Sequence, residues 1–139
     1  MKKDDCIFCK IAAGEIPSST VYEDEYFRAI LDLGPASKGH TIILPKNHYE
    51  DLCDLGLEEA ARVLPVAAKI GRAMKKGLGC AGFNLVQNNG EAAGQTVHHF
   101  HMHVIPRYEG GPEMIGWIVG KNTDEERQEI AAALTGAME

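Results

Sequence analysis

Gly94-Gln-Thr-Val-His-His-Phe-His-Met-His-Val-Ile-Pro-Arg107 carries four of the six histidines in a chain of 139 residues. From His99 onward the residues alternate strictly, with Phe100, Met102 and Val104 interleaved among His99, His101 and His103, which is the period-2 pattern of a half-buried strand. Successive strand side chains point to opposite faces, so the spacing predicts one row of three imidazoles backed by a core-facing apolar row. Histidine is a poor choice for a merely polar surface row. Thr, Lys or Glu would serve, and three aligned imidazoles repel one another once protonated. The row is therefore read as a site.

The residues just before the row supply what such a site needs. Gly94 permits close backbone approach, and Gly94 to Val97 offers successive N–H groups with the Gln95 amide and Thr96 hydroxyl, a set suited to cradling an oxyanion. A neutral histidine is a good nucleophile toward phosphorus, and its attack leaves a phosphorylated or nucleotidylated imidazole that water later cleaves. The second ring nitrogen must be oriented by a partner, and a neighbouring imidazole can donate to the phosphate or leaving group. The same row could instead hold a metal, which would consume the nucleophile.

Upstream, Gly82 to Gln87 reads as a strand running into the Asn88-Asn89-Gly90 turn. Glu58 to Lys76 has apolar residues at helical spacing and is the one long helix, which Pro65 is expected to kink or split. His40 to Pro45 reads as a short buried strand, with His40 itself expected to be structural. Ser19 to Glu23 and Tyr26 to Leu31 read as two strands around an Asp24-Glu25 turn. Asp32, at the end of the second, is either a turn-former bonded to its own backbone or a carboxylate presented to a sugar hydroxyl.

Cys6-Ile-Phe-Cys9 precedes a short helix over 10–13. A redox pair would sit on a longer helix after a strand. Zinc would need two more ligands, for which His48 and the histidine row are available. Cys53 and Cys80 are expected to be plain buried thiols. Downstream of Arg107 come a Glu-Gly-Gly-Pro loop, an apolar segment from Met114 to Val119 with the only tryptophan, Trp117, and a final helix whose Thr123-Asp-Glu-Glu126 start has capping-box form.

A chain of this length is expected to form one domain, and 45% hydrophobic with 24% charged residues is ordinary globular composition. No apolar run approaches the ~20 residues of a membrane helix and no signal-peptide core follows the N-terminus, so a cytoplasmic protein is expected. A net charge of -6 argues against broad nucleic-acid or anionic-membrane binding, so any phosphate must be held locally. Without a secretion signal, a disulfide framework is the weaker use of four cysteines.

His99-Phe-His101-Met-His103-Val-Ile resembles the alternating signature of the histidine-triad (HIT) family of nucleotide-binding proteins. Cys6-Ile-Phe-Cys9, Ala29-Ile-Leu-Asp32, Lys38-Gly-His40-Thr to Pro45-Lys-Asn-His48, Asn88-Asn-Gly90 and Gly94-Gln-Thr-Val look like family segments in family order. The likeness covers about residues 6–108 and leaves 109–139 as a C-terminal segment of the same domain. The character is similar to the bacterial Hit branch, near the Hint-type phosphoramidases.

The resemblance implies an α+β fold, an antiparallel sheet of about five strands with one long helix and short terminal helices. It also implies pairing as a homodimer, and hydrolysis or transfer at the α-phosphate of purine nucleotides. By position, His101 is then the nucleophile and His103 the phosphate-contacting third histidine. Asn88, Gly94, Gln95, Thr96 and Val97 form the phosphate and leaving-group pocket, with Gln95 and Thr96 assisting the chemistry. Asp32 accepts from the ribose, while Phe8, Ile30 and Leu33 line the base. Zinc-bearing relatives use a Cys-x-x-Cys pair, a histidine after the Pro-Lys turn and the first triad histidine, which here are Cys6, Cys9, His48 and His99. Such a closed site would be structural and would remove His99 from catalysis. His98 stands where relatives carry an aromatic residue and is expected to point toward the core side.

The leading reading is an enzyme that cleaves a nucleoside monophosphate from an amine or similar leaving group through a nucleotidyl-His101 intermediate. A dinucleoside polyphosphate hydrolase would need positive charge for a longer polyphosphate, and this chain offers few basic candidates. A nucleotide-binding module with negligible turnover is the reading from outside enzymology. A zinc-dependent redox or metal-buffer protein would leave the Gly94 to Val97 loop unexplained.

Overall fold

The computed structural model describes residues 1–112 and 116–138. Strands β1 (Thr20–Glu23) and β2 (Phe27–Leu31) form the first hairpin. Asp24 turns the chain between them, its carboxylate accepting the N–H groups of Tyr26 and Phe27 at 2.7 and 2.8 Å and the Tyr22 hydroxyl at 2.7 Å. β3 (Thr41–Pro45) follows, then helix α2 (Leu57–Leu78), β4 (Gly82–Val86) and β5 (Met102–Arg107). A short helix α1 (Ile7–Ala12) precedes β1, and α3 (Asp124–Ala137) closes the chain. The sheet runs β1-β2-β3-β5-β4 with every neighbouring pair antiparallel, an α+β architecture.

The central strands β2 and β3 bury both faces. Ala29 and Ile43 face α2, packing with Phe27, Phe100 and Val104 against Val63, Val66, Ala67, Ile70 and Met74. Ile30, Ile42 and Leu44 point the other way, onto Ala12, Phe8 and Ile11 of the α1 layer. β3 is buried at all five positions, which is why Ile42 to Pro45 read as an apolar run rather than an alternation, with the Thr41 hydroxyl satisfied by the Gly39 carbonyl.

α2 is one helix of 22 residues, not two. Pro65 deletes one backbone bond, but it and Ala61 lie on the exposed side, where the released carbonyl reaches water while the buried stripe stays packed. Thr123 caps α3 by accepting the Glu126 N–H at 3.1 Å, as its capping-box text implies.

Several expectations need correcting. The β5 ladder begins at Met102, not His99, because the Phe100 N–H donates instead to the Tyr49 carbonyl at 2.6 Å. The imidazoles are covered, His99 being 0% and His101 7% exposed beneath α1 and the loop after β3. Cys53 is exposed, although Cys80 is buried. His98 is half exposed rather than core-facing, with its ring nitrogens 3.9 Å from Glu50 and 3.8 Å from Glu91. Of the apolar segment after Arg107, Met114 and Ile115 lie outside the described residues, while Trp117, Ile118 and Val119 are exposed.

Candidate functional site

The β3–β5 register places Ile42 opposite His103, which brings His40, just before β3, beside the third histidine of the row. The His40 Nε2 to His103 Nδ1 distance is 2.8 Å. The Ala36 N–H donates to His40 Nδ1 at 3.0 Å, so the proton of a neutral His40 must reside on Nε2. That proton is donated to His103 Nδ1, which in turn places the His103 proton on Nε2. His40, expected to be only structural, is therefore a positioning residue. Its neighbour in space is set by strand register, which no local signal in the sequence carries.

His101 is oriented in the same manner. Its Nδ1–H donates to the His99 carbonyl at 2.8 Å, leaving the Nε2 lone pair unprotonated, and the Phe8 ring meets the imidazole edge-on at 4.9 Å. Burial lowers the pKa of His101, against the opposing pull of its bond to the His99 carbonyl and of Asp32. Burial, with His101 and His40 nearby, holds His103 down at about 4. Both rings are neutral at neutral pH, one an acceptor and the other a donor.

These histidines open on a cavity of about 560 Å³, within the usual size of small-molecule sites (about 300–1,000 Å³). Phe8, Ile30, Asp32, Leu33, Asn88, Gly94, Thr96 and Val97 line it together with His101 and His103, so nearly all the expected nucleotide residues converge. Leu33 contributes from a fully exposed position. Gly94 needs its glycine: φ is +95°, and a Cβ there would lie 3.4 Å from Asn88 Nδ2. Asp32 plays the turn-former with one oxygen, accepting the Gly34 N–H at 2.7 Å, while the other lies 3.6 Å from His40 Nε2.

Gln95 does not join the cavity. Its buried amide donates to the Glu50 and Val97 carbonyls at 2.8 and 3.1 Å, and its oxygen accepts the Gly90 N–H at 2.8 Å. Its side chain shapes the loop instead of cradling an oxyanion.

Among the described residues two clusters have metal-ligand composition, and their hydrogen bonds tell them apart. In the first, His99 Nδ1 lies 3.4 Å from Cys6 Sγ, 3.5 Å from Cys9 Sγ and 3.2 Å from His48 Nδ1, and Cys9 Sγ is 3.4 Å from His48 Nδ1. A tetrahedral zinc with bonds of about 2.0–2.3 Å has ligand edges of about 3.3–3.8 Å, close to this set. His99 Nε2–H donates to the Pro45 carbonyl at 2.9 Å, which frees Nδ1 as a ligand in the way second-shell carbonyls do. The Cys9 thiol is raised by burial, so a cation would have to displace its proton.

The second cluster, Asp32, His40 and His103, has its donor atoms similarly close. There the Ala36 N–H occupies His40 Nδ1 and keeps Nε2 protonated, so Nε2 has no lone pair to offer. The first cluster fits a metal, and the second is a hydrogen-bond relay.

A family model described as HIT domain matches residues 13–110. The chain belongs to the HIT family. Among HIT relatives, Protein hit of Bacillus subtilis is 48% identical over 108 residues, covering 78% of this chain and 74% of that one. The adenosine 5'-monophosphoramidase HNT1 of Saccharomyces cerevisiae is 38% identical over 138 residues, with 95% and 84% covered. A crystal structure of a HIT family protein from Bacillus anthracis superimposes with a TM-score of 0.87 at 44% identity, covering 98% of this chain and 99% of that one. A zinc-bound histidine triad family protein from Mycobacterium smegmatis gives a TM-score of 0.74 at 39% identity, with 95% and 94% covered. The HIT fold is thus shared with these proteins.

Proposed function

We propose that this HIT protein hydrolyses purine nucleoside phosphoramidates, or closely related nucleotides, at the α-phosphate through a covalent nucleotidyl-His101 intermediate. The observation that carries the reading is the locked tautomer of His101, whose Nδ1–H is held by the His99 carbonyl so that Nε2 can attack. In the first step Nε2 forms a bond to phosphorus, the P–N bond breaks, and the amine leaves with a proton from His103 Nε2 or the Thr96 hydroxyl. In the second, water attacks phosphorus and gives a proton back to the group that protonated the amine, the P–Nε2 bond breaks, and the nucleoside monophosphate departs.

Asp32 receives the ribose hydroxyls, Phe8, Ile30 and Leu33 hold the base, and Asn88, Gly94, Thr96 and Val97 surround the phosphate. Gln95 acts by holding this loop. The likeness to a relative named as a monophosphoramidase supports this substrate class over dinucleoside polyphosphates.

Cys6, Cys9, His48 and His99 would bind zinc, which supplies no step and pins α1 to the sheet; the named zinc-bound relative supports this assignment. The protein works as a cytoplasmic homodimer in this reading.

The test is release of AMP from adenosine phosphoramidate by wild type beside His101→Ala. Turnover by wild type and none by a folded His101→Ala is the expected result. Wild type that binds AMP yet leaves the phosphoramidate intact would overturn the enzyme reading in favour of a binding module.

A further inference from the structure

Among the described residues, two surfaces lack a partner and match in chemistry. The first is a groove of about 440 Å³ on the sheet face away from the histidines, between the second half of α2 and the β1–β3 edge. Val21, Leu31, Ile70, Met74 and Leu78 line it, with Lys38 at the rim. It stays open because small residues, Ala73 and Gly77, occupy the helix positions that face it. The charges nearest it are positive: Lys38 at the rim and, on α2, Lys69 and Lys76, while no acidic residue lines it, in a chain of net charge -6. Lys69 and Lys76 directly precede the lining residues Ile70 and Gly77.

The second surface is α3. All 14 residues are exposed, and among the described residues nothing covers Ile130 or Leu134, which are 53% and 59% exposed one turn apart. An isolated helix of about 12–15 residues is marginal in water, so a helix this short needs something to pack on. Its polar face is acidic, with Asp124, Glu125, Glu126 and Glu129 against the single Arg127.

We propose that α3 of one copy docks into this groove of a second copy, with Ile130 and Leu134 as anchors and its acidic face on the α2 cations. The arrangement is helix-in-groove recognition with i and i+4 anchors. Made reciprocally, it closes as a two-fold pair. It rests on the homodimer proposed above and names the segment that crosses between copies.

Hydrogen exchange on the full-length protein, with sedimentation on the same samples, tests it. Gly77→Leu fills the groove without touching α3, and a Cβ at Gly77 meets nothing within 4 Å, so the helix accepts it. Wild type should be a dimer with protected α3 amides, and Gly77→Leu should speed their exchange by about tenfold or more, the scale of losing an anchoring contact. Lys76→Glu should do the same in part, and Glu129→Lys added to it should restore protection. A dimer whose α3 exchanges freely, or whose α3 protection ignores Gly77→Leu, overturns the docking and leaves the pairing standing. Protection that persists in a monomer overturns the docking in trans, and the monomer overturns the homodimer too.

Discussion

Which nitrogen of each imidazole carries its proton is decided by one hydrogen bond apiece. The Ala36 N–H on His40 Nδ1 and the His99 carbonyl on His101 Nδ1–H leave one ring able to donate and the other able to attack. Replacing His40 removes the lock without removing either ring. His40→Ala is therefore expected to lower kcat by about 10²-fold, the low end of what a positioned proton donor supplies, with KM little changed. An equal loss in binding, measured as KM and AMP affinity, would show that His40 only supports the cavity wall. Burial lowers the pKa of both His40 and His103 from the ordinary 6.5, the latter to about 4. As pH falls from 6.5 the unfolded chain takes up protons that the folded pair refuses, so the unfolded state is favoured. The pair's contribution is complete above 6.5 and lost as pH falls through the folded values. Thermal melts across that window should show falling stability, and His40→Asn with His103→Asn should flatten the slope. An unchanged slope in the double variant would place the acid sensitivity elsewhere.

At the scale of elements, sequence and structure part company in instructive places. Proline in a helix interior is about 3 kcal/mol less favourable than alanine, yet α2 continues past Pro65 because its opposite side is anchored on Val63, Val66, Ala67 and Ile70. Pro65→Ala is accordingly expected to raise unfolding stability by about 1–3 kcal/mol in urea titration. No gain would mean that the proline shapes α2 to its seat on the sheet. The strands and α2 were legible because their apolar text has a local period, and the Asp24 turn and Thr123 cap because their chemistry acts within four residues. The start of β5 was not, since the partner that draws Phe100 out of the ladder, Tyr49, is distant in sequence. The same holds for Gln95, whose amide looks phosphate-ready until Glu50 and Gly90 claim it, and for His98, which lies half exposed near Glu50 and Glu91. Cys6, Cys9 and His48 were candidate ligands on spacing alone, while the choice of His99 as the fourth and of His101 as nucleophile came only through resemblance. Spacing alone left nucleophile and metal ligand as alternatives, and the carbonyls of His99 and Pro45 separate them in space.

In the whole molecule, the cysteine–histidine cluster and the cavity are one piece of construction. Cys6 and Cys9 flank Phe8 on α1, and Phe8 lies with its ring edge-on to His101 while Ile11 packs over Ile30 and Ile42. A metal held by Cys6, Cys9, His48 and His99 therefore fixes a wall of the cavity as well as the N-terminal segment. α1 has only six residues and little intrinsic stability, so the ligands must supply what its length does not. Chelation is expected to lower Tm by about 10 °C, the effect of losing about 3 kcal/mol at this size. It should also weaken AMP binding more than it slows turnover at saturating substrate, because the His40–His103 relay is set by the β3–β5 register and survives. Added zinc should restore both properties, and Cys9→Ser should mimic chelation and not be rescued. A chelated protein with unchanged Tm and AMP affinity would show that thiols and imidazoles hold α1 by packing and hydrogen bonds alone, and that the cluster's geometry has another origin than a metal.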